Sequence, residues 1–320
     1  MRISGGDVLK DQWSLSEQEW FAQIETLGEA EGYFIRLGGD HAALFVDRGP
    51  TLFVTFETVE TMRQRKPDQM PMGFATAKSR HWSHLCIMAQ SPTWYRDKAI
   101  YAYFDQLVDD AFFEDFDNVV FYGTGMAGYA AAAYSVAAPG ATVVLVQPKA
   151  TLDPAMAGWD PRFAEHRRLC FTDRYGYAPD MTEGAGLVFV IYDPEQSLDA
   201  MHAALFARPF TTLLPCRNLG SDLAAALFEM QILPSVLSAA ATGAFDARLF
   251  WTFYRARRNY LPYLRKLLSK LDADGRPYLG ALLARNTSER LHDARFRERA
   301  KELSAILADK RETWRHPVQS

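Results

Sequence analysis

The stretch Asn118–Tyr129, NVVFYGTGMAGY, constrains this chain more than any other. Val119, Val120 and Phe121 are β-branched or aromatic and suit a strand buried on both faces. They run without a spacer into Gly123, Gly125 and Gly128, which permit a sharp turn, a bare apex and a closely packed helix. Ala130 to Ala133 then favour that helix. A strand that turns so abruptly into a helix implies an α/β layer structure, because the helix must pack back onto the sheet it has just left.

Two chemistries use such a turn. Gly123, Gly125 and Gly128 match the dinucleotide fingerprint G-x-G-x-x-G, in which a helix start offers backbone N–H groups to a pyrophosphate. The same residues fit the strand-to-helix elbow G-x-S-x-G of the α/β-hydrolases, whose apex carries the nucleophile. On that pattern Gly123 is the first position, Gly125 stands where the serine belongs, and Ala127 replaces the last glycine.

The order of elements separates the two. A helix is expected over residues 14–30 with Ser14 as its cap. Strands follow at Tyr33–Leu37 and Ala43–Val46, split by Gly38-Gly39-Asp40 as a hairpin, then at Thr51–Glu57, with a loop through residue 74, and at His84–Ala89. A helix over Lys98–Phe113 leads to the Asn118–Tyr122 strand, and Thr142–Val146 is the next. Residues 147–186 break the rhythm as an insertion over one sheet edge, after which Leu187–Tyr192 and Phe210–Leu214 complete eight strands. Helices are expected over 197–206, 222–230, 233–242, 246–271 and 293–309, with a break at Asp272–Pro277. A dinucleotide unit puts its fingerprint after its first strand, whereas here the turn follows the fifth, where the hydrolase fold carries its elbow.

Trp94-Tyr95-Arg96, then Gly123, Met126, Gly128 and Tyr129, then Gln147-Pro148 and Leu152-Asp153, then Asp160 and Arg162 together resemble a group of bacterial α/β-hydrolase-like proteins associated with surface glycans. The match covers roughly residues 50–230. It implies a mostly parallel eight-stranded sheet of α/β-hydrolase type in residues 1–244, with an insertion at about 148–186 and a helical appendage in 245–320. It also implies an acid after the seventh strand, met by Asp193 with Asp199 as substitute, and a histidine after the eighth, where Gly220-Ser221 stands instead.

Serine catalysis needs the hydroxyl, a base within reach and a carboxylate to orient it. With Gly125 for the serine and Ser221 for the histidine, the expected protein is a hydrolase scaffold without hydrolysis. It binds a small acyl, carboxylate or phosphate ligand, or a protein partner, with a link to surface-glycan metabolism. Its expected ligand-binding residues are Thr58, Gly123, Thr124, Gly125 and Met126, with the backbone N–H groups at Met126 and after the third strand near Thr58 forming the oxyanion-type nest, and Trp94 and Arg96 beside them. An NAD(P)-dependent oxidoreductase is the alternative, although the strand after the fingerprint ends at Gln147 rather than at the acid a ribose needs. Ser4-Gly5-Gly6-Asp7 resembles the phosphate loop of phosphoadenylyl-sulfate reductases and supports a lesser one.

Composition narrows the setting. The 320 residues are 48% hydrophobic with a formal charge of −4 and contain no run approaching a membrane span, so a cytoplasmic protein with no membrane partner is expected. Residues 246–320 carry 17 Lys and Arg against 9 Asp and Glu, about +8, a basic face that suits docking or self-association of the C-terminal helices better than nucleic acid. Cys86, Cys170 and Cys216 show no paired spacing and read as buried thiols. His81 and His84 lack a third ligand, so neither a metal nor a cofactor is expected.

Overall fold

The computed structural model describes residues 15–65 and 69–315, with side chains through residue 308. Ser4 to Asp7 and Ser14 lie outside the described residues. The chain divides into two units, Met1–Pro215 with Val236–Phe245, and Cys216–Ser235 with Asp246–Ser320.

The first unit is built on strands β1 (Gly32–Leu37), β2 (His41–Val46), β3 (Thr51–Thr58), β4 (Ser83–Ala89), β5 (Asn118–Thr124), β6 (Thr142–Val146), β7 (Leu187–Tyr192) and β8 (Thr211–Pro215). They form one sheet in the order β1-β2-β4-β3-β5-β6-β7-β8. β1 with β2 and β2 with β4 are antiparallel, and every pair from β4 through β8 is parallel. A leading antiparallel hairpin, a crossed third and fourth strand and a sharp turn after the fifth define the α/β-hydrolase fold. The glycine turn therefore sits in mid-sheet and does not open a dinucleotide-binding unit.

Alternation along the strands splits the core into two layers. Ala43, Phe45, Leu52, Val54, Phe56, Leu85 and Ile87 face the larger layer, covered by α4 (Lys98–Asp109) and α5 (Gly125–Tyr134), whereas Ala42, Leu44, Val46, Cys86 and Met88 face α1 (Glu17–Glu31), α2 (Val59–Gln64) and α3 (Met72–Arg80). α1 starts at a capping box in which Ser16 accepts from the Glu19 N–H at 3.2 Å and Glu19 reaches back to the Ser16 N–H at 2.9 Å, two residues after the expected cap.

Three expectations are corrected. The segment after β3 is not one loop, since Thr58 caps α2 by accepting from the Thr61 N–H at 3.2 Å, and α3 follows. α4 stops at Asp109 because Ala111 is left-handed, at φ 55°. The insertion does not leave an edge. β6 lies between β5 and β7, and the segment folds as α6 (Pro154–Ala157), a 3₁₀ stretch Pro161–Arg168 and α7 (Ala178–Met181), with Tyr129 of α5 donating to the Tyr175 carbonyl at 2.6 Å. α8 (Ser197–Leu205) follows β7.

After β8 come α9 (Leu223–Glu229), α10 (Ile232–Ala241), α11 (Ala247–Phe253), α12 (Leu261–Ala273), α13 (Pro277–Leu291) and α14 (Ala294–Arg315). The helix expected over 246–271 is broken by a 3₁₀ turn at Tyr254–Asn259, and Pro262 in the first turn of α12 marks the restart. α13, absent from the sequence expectation, packs Ala284 with Leu264 and Phe296 in the second unit's own core. Among the described residues no single helix is long and apolar enough to cross a membrane.

Candidate functional site

The turn at the heart of the sequence has the geometry of a nucleophile elbow. Gly125 is left-handed at φ 54° and opens α5, and Thr124 before it provides no side-chain cap. The first N–H groups of the helix therefore have no capping side chain. Gly123 is required sterically, because a Cβ there would lie 2.1 Å from the Ala127 carbonyl oxygen, and Gly128 is closely packed, with a Cβ there meeting Pro148 Cα at 3.1 Å. A Cβ on Gly125 would meet nothing within 4 Å. The apex has room for a side chain and has none.

Beside this turn lies a cavity of about 190 Å³ between the C-terminal ends of β3 and β5. Thr58, Gly123, Thr124 and Met126, four of the residues expected at a ligand site, line it. Thr55, Glu57, Thr61, Arg65, Tyr95 and Tyr122 are its other polar residues, and Phe56, Met72 and Ala127 its apolar ones. Among the described residues that line it there is no serine, cysteine or histidine.

Glu57 is the group at this site that the sequence reading missed. It is 9% exposed, and its carboxylate accepts from the Met72 N–H at 2.6 Å and from Arg65 Nη1 at 2.8 Å. Burial pushes its pKa up, against the opposing pull of Arg65 and the Met72 N–H. Arg65 is itself shared with the Met70 carbonyl at 2.8 Å. Tyr95 and Tyr122 are buried with no partner for their hydroxyls, and burial raises both pKa values, so both stay protonated. Tyr95 is held by two successive left-handed residues, Trp94 at φ 57° and itself at φ 55°, and by Tyr134, whose hydroxyl donates to its carbonyl at 2.5 Å.

The hydroxyl–imidazole pair that borders the cavity is Thr55 with His84, 2.9 Å apart. His84 is fully buried, its other nitrogen has no partner, and burial with the nearby Arg48 charge lowers its pKa to about 3. An imidazole of so low a proton affinity is a poor base at neutral pH.

The remaining sequence candidates fall elsewhere. Trp94 packs edge-on against Tyr129, Phe163 and Phe171, while Arg96 donates to the carbonyls of Cys170 and Arg174 at 2.9 Å, to the Tyr129 hydroxyl, and pairs with Asp173. Both fasten the insertion to α5 and neither lines the cavity. Asp193 is fully buried after β7, where its carboxylate accepts from the Glu195 N–H at 2.9 Å and its carbonyl from the Gln196 N–H, as in a strand-end turn. Ser221 is exposed and belongs to the second unit. His81 is the left-handed C-cap of α3. Cys86 and Cys216 are buried, but Cys170, expected inside, is exposed.

Asp160 and Arg162 form a bidentate pair inside the insertion. The pair extends to α8, with Arg162 reaching Asp199 at 2.8 Å and His202 reaching Asp160 at 3.1 Å, while Lys149 joins Asp199 at 2.6 Å. Asp160 is held down at about 2: burial would raise it, and the hydrogen bonds from Arg162 outweigh that. The network closes the insertion onto α8.

No family model and no curated protein matches this chain. Among solved structures it is similar to the capsule O-acetyltransferase of Neisseria meningitidis serogroup A, at 12% identity and TM-score 0.40 over 67% of this chain and 99% of that one. It is also similar to EstE1, a thermostable carboxylesterase cloned from a metagenomic library, at 14% identity and TM-score 0.41 over 72% of this chain and 99% of that one. A glycosylation-associated protein complex of Streptococcus agalactiae matches at 16% identity and TM-score 0.31, over 62% of this chain and 38% of that one. These likenesses concern the fold alone, and the fold assignment rests on the strand order and the elbow of this chain.

Proposed function

We propose that this chain is a hydrolase-fold protein that holds a small acyl, carboxylate or phosphate ligand at its elbow without cleaving it. The observation that carries the reading is Gly125: the left-handed apex is kept, the space above it is open, and the atom that would attack is missing. Acyl transfer through a covalent intermediate needs a nucleophile activated by a base that is itself oriented. The cavity supplies threonines instead: Thr58 and Thr61 share their hydroxyls at 2.7 Å, Thr55 faces a histidine too weakly basic to activate it, and Thr124 has no imidazole among the described residues that line the cavity. Binding remains, through the uncapped start of α5 and the polar side chains of Glu57 and Arg65.

The test is reaction with a fluorophosphonate, read as a mass shift of the intact chain, alongside equilibrium titration with a short acyl amide. No adduct and a saturable titration are expected. An adduct at Thr55 or Thr124, or turnover of a short-chain ester that is lost in the Thr55→Val variant, overturns the non-catalytic reading.

A further inference from the structure

We infer that the outer edge of β1 is a docking site for an extended basic segment of another polypeptide, which adds to the sheet beside β1 and lays alternate side chains into the groove between β1 and α4.

The edge carries the first argument. β1 ends the sheet and pairs only with β2. Among the described residues no other main-chain hydrogen bond reaches it, apart from the one that Gly32 donates to the Gly28 carbonyl in α1. A free edge presents a row of N–H and C=O groups that another chain can complete, and proteins commonly blunt it with proline, a bulge or outward charge. The sequence of β1, Gly-Tyr-Phe-Ile-Arg-Leu, contains no proline, and its register runs without a bulge from Gly32 opposite Val46 to Leu37 opposite His41. Its one charge, Arg36, is drawn onto α1 by Glu25 at 3.1 Å and by the Phe21 ring at 4.0 Å. Ile35 beside it is 42% exposed.

The groove carries the second. Tyr33 and Ile35 stand two apart on one face of β1 and, with Tyr103 and Leu107 of α4, line a groove of about 320 Å³. Strand addition takes its affinity from main-chain bonds and its selectivity from such side-chain pockets. Among the described residues that line the groove the only charged ones are Asp110 and Asp115, both exposed. A lysine or arginine laid along this rim meets two carboxylates, whereas an acidic residue is repelled.

Charge also chooses between occupants. Antiparallel pairing of β1 with the β1 of a second copy has its two-fold axis normal to the sheet, so both grooves and both pairs of aspartates would face each other across one seam. Residues 1–245 carry a formal charge of about −12, the chain's −4 less the +8 of residues 246–320, so two copies repel at this edge where a basic segment is attracted.

The probes are blocked, fluorescein-labelled heptapeptides, matched to the ~20 Å that six residues of strand span. One alternates lysine with valine, a second carries glutamate in place of lysine, and a third is the lysine peptide N-methylated at its central valine and the lysine after it, so that a donor is lost on either edge. By fluorescence anisotropy with the full chain at pH 7, the lysine peptide is expected to saturate and to bind about tenfold more tightly than the glutamate peptide. N-methylation is expected to weaken it about tenfold or more. Asp110→Asn together with Asp115→Asn is expected to remove most of the preference for lysine. Ile35→Lys is expected to weaken the lysine peptide about tenfold with little change in melting temperature, because the side chain is exposed. No binding of the lysine peptide, equal binding of its N-methylated form, or an undiminished preference for lysine in the double asparagine variant overturns the docking site. A peptide-free chain that dimerises in sedimentation equilibrium, and that Ile35→Lys returns to monomer, overturns it as well, because the edge then belongs to a second copy.

Discussion

Lys149 Nζ lies 2.6 Å from Asp199 Oδ1, with both side chains about 5% exposed, and the contact ties the start of the insertion to α8. Burial lowers the lysine's pKa against the pull of Asp199. The same burial would raise Asp199, but Lys149 and Arg162 together hold it below the ordinary range, so the carboxylate stays ionised.

Removing one member of such a pair leaves the other buried and uncompensated, which typically costs about 3–5 kcal/mol, whereas replacing both with apolar residues is often neutral. Asp199→Leu is therefore expected to lower stability by about 3 kcal/mol or more, and Lys149→Met with Asp199→Leu to recover much of the loss. Urea midpoints of the two variants against the parent chain measure this. A double variant as unstable as the single one would show that Arg162, which also reaches Asp199, dominates the network.

Acid should weaken the fold well before the carboxylates titrate. Burial, then the Lys149 charge, lowers His202 to about 4 against the opposing bond to Asp160, and burial lowers His84 to about 3. Both lie below the usual value of about 6.5. Between about pH 6.5 and 4 the unfolded chain takes up protons that the folded chain refuses, so stability rises with pH across that window and falls as pH drops. Asp160, depressed to about 2, contributes its stability above the ordinary carboxylate pKa and loses it only as pH falls toward 2. The two histidines together should cost about 3 kcal/mol at pH 5.5 relative to pH 7.5. Urea midpoints at the two pH values measure it, and His202→Gln should remove about half of the difference. Equal midpoints for the parent chain would sink the argument.

The elbow should respond unequally to adding a methyl group. Gly123→Ala drives a Cβ against the backbone oxygen of Ala127, so the strand-to-helix turn itself must shift. A loss of about 3 kcal/mol or more is expected, at the upper end for overpacking. Gly125→Ala meets no atom and suffers only the left-handed backbone penalty of about 1–2 kcal/mol. Melting temperatures of the two variants make the comparison, and a milder loss at Gly123 would contradict the packing just described.

The same contrast explains what the sequence disclosed. Thr142–Val146 and Leu187–Tyr192 were legible to the residue because strands buried on both faces are continuous apolar runs. The glycine spacing exposed the elbow, since only glycine fits at position 123. α2 and α3 were not legible: one has six residues, and the other begins at Pro71 with no side-chain cap. The role of Glu57 went with them, because its partners Arg65 and the Met72 N–H lie just after α2 and at the start of α3. Trp94 and Arg96 entered the expected ligand site through the resemblance, but what they hold is the insertion, a long-range relation that no local pattern records.

Gly125→Ser restores the missing hydroxyl at an apex with space for it and the left-handed backbone it needs. A serine alone is a weak nucleophile at neutral pH, and among the described residues that line the cavity no imidazole stands ready to take its proton. The variant is thus expected to fold, to melt within a few degrees of the parent chain, and to remain unlabelled by a fluorophosphonate at pH 7. Rapid labelling of Gly125→Ser by itself would mean that a base already serves the elbow, and the non-catalytic reading would then have to yield to one in which only the attacking atom was lost.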